Sequence, residues 1–509
     1  MQMNHQECLS RLLSFAAGYE RVFLYGAGFY GDVCYKYLSR HGIKVTGFIV
    51  SETSKLKDKD GVPIYIADEI MSQLGKNDAI VLSMRPESQE EVFDSLNGSG
   101  KNVLMLSMQE LICFEYESAV NIFSRLAAEH NAAPFTKLSD YHNILVIRLD
   151  VIGDMIWTSA FFRELRNNYP EARITLVLRR DVYDVVRNCP YIDEFICYDM
   201  PGDEIVSQDY ELMGSRARNF AHKYLCNSNF DLLFLPRCMS LYDCQENIFL
   251  AAYSNVSVRI GRIDATDLFG SLASSVLRPM MSIMAEEQKW QHEVKNMLDL
   301  LRLVGGKVAS EHMELWPDKA DWENADKLLS AYRKPLVVLA LEAREANRSW
   351  ASANYRDLVE GMTSELDGNV TFVLMGGKGA LAAKAPLQKF GNCLDLIGKT
   401  SLMQAAAVIG RAQLYIGPMT GLVHMAGAMN VPVIEISAQL QSSKKMFICA
   451  PQRTGAWGVP HISIMPEHGA DMECENAGVC VKRYTHCTNQ ILPIVVVEAA
   501  IEMLKQKSN

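Results

Sequence analysis

Short apolar runs, each ending in a loop that leads into a helix-length stretch, recur along the whole chain. This repeated order constrains the fold more than any other feature. Residues 22–25 form the first run. It passes through Gly26-Ala27-Gly28-Phe29-Tyr30-Gly31 into a helical stretch reaching about Arg40, and residues 45–50 follow as a strand. Residues 79–82 and 103–106 read as further strands and 114–130 as a helix. Residues 131–140 are polar, contain Pro134 and read as a linker. A second series opens with a strand at 143–147, a loop at 148–153 and a helix at 154–168, with strands at 174–178 and 231–235. A third begins after about Ser330, with strands at 335–340, 370–375, 414–416 and 431–436 and helices at 401–409 and 424–429. Strands alternating with helices imply parallel α/β sheets. A length of 509 residues suits about three domains. The expected boundaries are 1–130, 141–330 and 331–509.

Composition narrows the class. Apolar residues are 49% and charged residues 22% of the chain, which excludes a mainly disordered chain, a collagen-like fibre and a coiled coil. The formal net charge of -10 argues against a general nucleic-acid binder. No run approaches about 18 apolar residues, so no membrane-spanning helix is expected. The start, MQMNHQECLSRLLSF, lacks the basic and long apolar regions of a secretory signal. The 13 cysteines, an odd number scattered over a large chain, suggest reduced thiols and a cytoplasmic setting.

Four loops carry candidate chemistry, because open α/β sheets bind ligands where strand ends meet helix N-termini. In the first, Gly26, Gly28 and Gly31 form a GxGxxG between a strand and a helix, and Glu52 is the candidate ribose partner. A structural or interaction module fits this segment equally. The second is Arg148-Leu149-Asp150-Val151-Ile152-Gly153-Asp154. From the residues alone Asp154 reads as a helix-capping acid; its functional reading is a general base. The third contains Arg348, a candidate phosphate ligand, followed by Ser349 and Trp350. The fourth is Gly417-Pro418-Met419-Thr420-Gly421-Leu422-Val423-His424. Here helix amides, the Thr420 hydroxyl and His424 are candidates to receive a diphosphate.

Together these loops resemble the family 9 glycosyltransferases, the group of the ADP-heptose:lipopolysaccharide heptosyltransferases, over roughly residues 143–505. The clearest stretch is ILVIRLDVIGDMIWTSAFFRELRNNYPEARITLVLRRDVYDVVRNCPYIDEFI, from Ile144 to Ile196. Later landmarks are Phe230-Asp231-Leu232-Leu233, Arg259-Ile260-Gly261, Ile397-Gly398-Lys399-Thr400-Ser401-Leu402 and the segment from Thr420 to Ala428. The resemblance implies an α/β GT-B architecture, two Rossmann-like domains facing across a cleft. It implies an inverting, metal-independent transfer from a nucleotide-diphospho-sugar, with an ADP-sugar favoured and no cofactor required. Asp154 matches the family's catalytic acid. Arg148, Gly153, Arg348, Trp350, Thr420, Gly421 and His424 match donor-side positions, Arg348 standing where the family has a lysine. The expected acceptor is a cell-surface glycan or a lipid-linked intermediate such as lipopolysaccharide, with peripheral contact at the inner membrane face and oligomerisation allowed.

The chain departs from the family pattern at several points. Met419 stands where an aspartate is usual, and Glu342-Ala343-Arg344 replaces the usual Pro-Gly-Ala. The first 130 residues fall outside the usual family and resemble the small Rossmann-like domain that precedes some sugar-modifying enzymes. Cys474, Cys480 and Cys487 beside His486 are spaced by six and seven positions, unlike a CxxC zinc pair, and read as free thiols on a loop, with a structural metal left open as the alternative. Some relatives bind iron near their own C-terminal cysteines. No metal is expected in the transfer site. Competing readings are transfer onto a protein side chain, a non-catalytic sugar-nucleotide-binding assembly protein favoured by Met419, and, less well supported, a dehydrogenase using the first glycine loop.

Overall fold

A computed structural model of the protein describes residues 5–51, 57–84, 86–96, 100–200, 210–239, 245–264, 270–287, 290–443 and 450–506. Three six-stranded sheets organise them. The first runs Asp58–Lys59, Val62–Ile66, Val45–Val50, Arg21–Tyr25, Asp78–Leu82, Asn102–Met105, and only the short Asp58–Lys59 edge is antiparallel. The second runs Ile283–Glu287, Arg259–Asp264, Leu232–Met239, Asn143–Arg148, Arg173–Arg179, Glu194–Tyr198. The third runs Cys393–Asp395, Thr371–Met375, Leu336–Ala340, Leu414–Pro418, Val433–Ile436, His461–Ile464. In both of these sheets the first and fourth strands of the unit lie side by side at the centre. Strand order reverses there, which opens a crevice at the carboxyl ends of the two central strands. Every residue of Leu336–Ala340 and Leu414–Pro418 is buried, so these strands are continuous apolar runs and not alternating ones.

Two segments differ from the sequence expectation. The helix expected at 114–130 spans Met108–Glu129. It starts earlier because the Ser107 hydroxyl accepts from the Glu110 amide while the Glu110 carboxylate accepts from the Ser107 amide, a reciprocal cap. Its Leu111 and Phe114 pack into the core of the first unit, whereas Phe123 and Leu126 pack with Leu233 and Phe249 of the second. One helix therefore serves two cores. Residues 131–140 are not a free linker either. The Ala132 amide donates to the Pro279 carbonyl at 2.9 Å and the Ala133 amide to the Ser257 carbonyl at 2.8 Å. Polar composition misleads here because the backbone makes the attachment.

The second and third units are joined by buried charge. Glu293, at the start of the helix Glu293–Leu303, pairs with Arg262 of its own unit and at 2.7 Å with Arg453 of the third. Burial alone pushes the Glu293 carboxyl up, but Arg262 and Arg453 override it and hold it at about 2. Glu435, fully buried on Val433–Ile436, shows the opposite balance. Among the described residues it accepts only from the Ala456 amide, at 3.3 Å, and its second oxygen has no partner there, so burial pushes its carboxyl up to about 7.

The two acids predict opposite responses to substitution and pH. Removing Glu293 strands buried guanidinium groups, so Glu293→Ala is expected to lower unfolding free energy by about 3–5 kcal/mol at neutral pH. Because the folded value lies below the ordinary one, this contribution is intact above about pH 4.5 and is lost as pH falls toward 2. Glu435 is held above its ordinary value, so its ionisation destabilises the fold progressively as pH rises from about 4.5 through 7. Glu435→Gln is expected to raise Tm at pH 8 by several degrees and to change it little at pH 5. Melting curves of the three proteins across this range check both.

Candidate active site

The helix after the first strand of the second unit, Ile152–Asn168, meets the helix after the fourth strand of the third unit, Gly421–Ala428, at their N-termini. The contact leaves no room for side chains at two glycines. A Cβ on Gly153 would lie 2.7 Å from His424 Cδ2, and a Cβ on Gly421 would lie 3.0 Å from Ile152 Cγ2. Two sets of helix N-terminal amides, each carrying partial positive charge, are thus brought to one place. Trp157 Nε1 donates to His424 Nδ1 at 3.0 Å and adds a buried polar contact across the junction.

Asp154 follows Gly153 directly. It stands in the first helical turn and does not cap it: the cap residue is Val151, which makes no side-chain cap bond. Its side chain is 24% exposed, and its Oδ1 lies 3.8 Å from Arg148 Nη2. Arg148 is buried at the end of its strand and pairs with Asp150 at 3.1 Å. Arg237 pairs with the other oxygen of Asp150. Burial lowers the Arg148 guanidinium to about 10, and nearby Asp154 works against that fall, so it stays cationic at neutral pH. The acid at the cleft therefore sits beside a fixed positive charge.

On the third unit, Arg348, Asn347, Met419, Ser437, Gln439 and Cys480 are among the residues lining one pocket. Arg348 is partly exposed and pairs with Glu345 at 3.1 Å. Thr420 caps its helix, its hydroxyl oxygen accepting from the Leu422 amide at 3.2 Å, and its side chain also hydrogen-bonds the buried Tyr415 hydroxyl. Because of this cap the helix starts at Gly421 and not at His424, as the sequence suggested. Glu342 accepts from the Gly377 amide at 3.1 Å and so ties the loop after the neighbouring strand.

Two sequence candidates take other places. Trp350 does not line the pocket. It is 2% exposed, packs edge-on to Tyr355 at 5.0 Å and donates from Nε1 to the Ile491 carbonyl at 3.1 Å. His424 is buried behind Gly153 and Trp157, and burial, with His292 adding to it, lowers its imidazole to about 3. It is neutral and supplies no positive charge to a diphosphate. Both side chains are buried. In the N-terminal unit, Gly26 and Gly28 lie in the turn between the strand Arg21–Tyr25 and the helix Phe29–Arg40, and Gly31 lies in the first turn of that helix. Lys59 closes this loop, donating to the Ala27 carbonyl at 2.7 Å and pairing with Asp32 of the first helical turn at 2.7 Å. Glu52 lies outside the described residues.

Sequence reasoning missed Asp150, Arg237, Arg262, Glu293 and Arg453, which make the charge network around the cleft. The available signal was a set of charged residues directly after or within buried apolar strands. The tail cysteines, read as free thiols with a structural metal left open, are free and buried. The fold gathers Cys474, Cys480, His486 and Cys487 so that one ligand atom from each lies within 4.8 Å of the others. No helix among the described residues is long and apolar enough to cross a membrane.

Comparisons with known proteins agree with this geometry. Residues 270–460 match the family model "Glycosyltransferase family 9 (heptosyltransferase)". The chain is 23% identical over 295 residues to a lipopolysaccharide heptosyltransferase 3 of Escherichia coli, spanning 56% of this chain and 80% of that protein. It is 21% identical over 300 residues to the lipopolysaccharide core heptosyltransferase OpsX of Haemophilus influenzae, spanning 58% and 79%. Among solved structures, a family 9 glycosyl transferase from Veillonella parvula superposes with a TM-score of 0.56 at 18% identity, covering 72% of this chain and 98% of that one. The E. coli ADP-heptose lps heptosyltransferase II superposes with a TM-score of 0.52 at 17% identity, covering 72% and 100%. The facing second and third units are a GT-B pair. Family model, relatives and fold agree in likening the chain to glycosyltransferase family 9, with an additional Rossmann-like domain at its N-terminus.

Proposed function

We propose that the protein is an inverting glycosyltransferase that moves a sugar, a heptose or a close relative, from a nucleotide-diphospho-sugar to a hydroxyl of a surface-glycan intermediate. The observation that carries this reading is the meeting of two helix N-termini at Gly153 and Gly421, with Asp154 and Arg148 at their junction. Asp154 acts as general base. Its carboxylate takes the proton of the acceptor hydroxyl as that oxygen bonds to the anomeric carbon. The bond from that carbon to the diphosphate breaks on the opposite face, and the nucleoside diphosphate leaves with the electron pair. The charge that grows on the leaving group is met by first-turn amides of Gly421–Ala428, the Thr420 hydroxyl and Arg348, in a transfer that needs no metal. Holding donor and acceptor between two units removes much of the entropic barrier.

An ADP-sugar is the favoured donor, in keeping with the ADP-heptose named for the E. coli structural relative. The acceptor is a lipopolysaccharide-type intermediate reached from the cytoplasmic face of a membrane, in keeping with the curated relatives. Met419 at the pocket favours one second reading, a non-catalytic sugar-nucleotide-binding assembly protein.

A thermal-shift screen with ADP, GDP, UDP, CDP and dTDP separates the two readings from an inert pocket. A ligand at about 100 times its Kd adds about 2.7 kcal/mol, which is readily seen. Selective stabilisation by ADP is expected. Asp154→Asn is expected to lower transfer by about 10²–10⁴-fold and to leave nucleotide binding unchanged. Transfer at the parental rate would remove Asp154 as the base, and binding without any turnover in the parent would favour the assembly reading.

A further inference from the structure

Four arginines are almost wholly buried among the described residues: Arg148, Arg259, Arg262 and Arg453. Three of them face a carboxylate, Arg148 on Asp150 and both Arg262 and Arg453 on Glu293. Arg259 has no acid partner among the described residues. Its Nη1 donates to the His130 carbonyl at 2.8 Å and to the Met280 carbonyl at 3.2 Å. Its Nε is sealed from solvent and has no hydrogen-bond partner there. Burial lowers its guanidinium to about 10 and no acid offsets that fall, yet it stays cationic at neutral pH. A buried charge without a counter-charge is costly, and folds ordinarily supply one.

Arg259 forms part of the wall of an open cavity of about 570 Å³, shared with Glu129, His130, Arg218, His222 and Tyr253. Glu129 is the only acid among the described lining residues, against two arginines and two histidines. The Arg218 guanidinium lies over the Tyr253 ring, 4.7 Å from its centroid, and donates to the Tyr253 hydroxyl at 3.1 Å. His130 packs edge-on against the same ring at 5.4 Å. Burial lowers the His130 imidazole, and the nearby charges of Arg259 and Arg218 lower it further against the pull of Glu129. We infer that this cavity binds a soluble phosphate monoester, with Arg259 as the buried anchor and Arg218 at the rim. The guanidinium fork matches paired phosphate oxygens, and the excess of cationic groups suits a doubly charged phosphate better than a single carboxylate. The volume leaves room beside the phosphate for a group of sugar size.

This cavity lies away from the crevice between the second and third units. Arg259 opens the strand Arg259–Asp264, whereas the crevice lies at the carboxyl ends of the strands. The cavity stands instead at the joint between the first and second units. Glu129 ends the helix that serves both cores, and the next residue, His130, supplies a carbonyl to Arg259. Beyond it the Ala132 and Ala133 amides are held by the Pro279 and Ser257 carbonyls. A phosphate bound to Arg259 therefore braces that joint and takes no part in the transfer step.

The test uses the full-length protein at constant ionic strength, with inorganic phosphate and a hexose 1-phosphate as probes. Both are expected to slow hydrogen exchange, to saturation, at residues 129–133 and 253–259. Arg218→Ala, on an exposed position, and Arg259→Lys, which keeps the charge and loses the fork, are each expected to weaken the response about tenfold. Arg348→Ala, on the donor side, is expected to leave it unchanged. No saturable protection by either probe would overturn the site. A response kept by the Arg218 and Arg259 variants and lost in Arg348→Ala would move the phosphate to the donor side and overturn it as well. Equal protection by citrate would overturn the choice of phosphate. Vesicles of phosphatidylcholine with phosphatidic acid present the same group on a lipid and are expected to give no protection. Protection by the vesicles and not by the hexose 1-phosphate would overturn the soluble source.

Discussion

The contact of Gly153 with His424 and of Gly421 with Ile152 is the constraint on which the rest of the arrangement depends. Two helices can point their N-termini at one place only where their first turns carry no side chains to hold them apart. Once they do, two sets of partly positive amides converge, and any anion placed there is stabilised by both. Asp154 is set at the rim of this junction by the chain itself, one residue beyond the glycine that makes the contact. The same close packing explains why His424 is neutral: a ring pressed between Gly153 and Trp157 is out of water.

Around this junction the two units share charge as well as shape. Arg148, Arg237 and Arg262 come from strands of the second unit, and Arg453 reaches in from the third. Asp150 and Glu293 each lie between two of these guanidinium groups. Such a network is a poor source of raw stability, because desolvation offsets much of the attraction. It does tie the relative placement of two units to a defined set of partners. Glu435 shows the contrast: a buried carboxylate without a cationic partner is pushed toward its neutral form.

The architecture was largely legible in the sequence. Buried parallel strands must be continuous apolar runs, and their covering helices must follow a helical period, so Asn143–Arg148, Leu336–Ala340 and Leu414–Pro418 were found close to their true limits. The strand-end positions of the loops that carry Arg148, Gly153, Asp154, Thr420 and Gly421 were also legible, since such loops are few and these combine glycine, acid and hydroxyl. The burial of Trp350 and His424 was not legible, because a motif says which residues recur and not which way each side chain points. Trp350 turns inward to the Ile491 carbonyl, 141 positions away, and that partner has no local signature.

What the sequence by itself determined was the order of strands and helices, the number of α/β units and the strand-end loops where the candidate residues stand. These follow from local periodicity and turn chemistry, which act between residues near in the chain. Only the tertiary structure decided that the helix Met108–Glu129 serves two cores and that residues 131–140 are bound by their backbone. It alone placed Glu293 against Arg453 and drew Cys474, Cys480, His486 and Cys487 into one cluster beside the Arg348 turn. Each of these depends on where distant segments meet, and burial, charge pairing and ligand geometry act through space, where spacing along the chain carries little information.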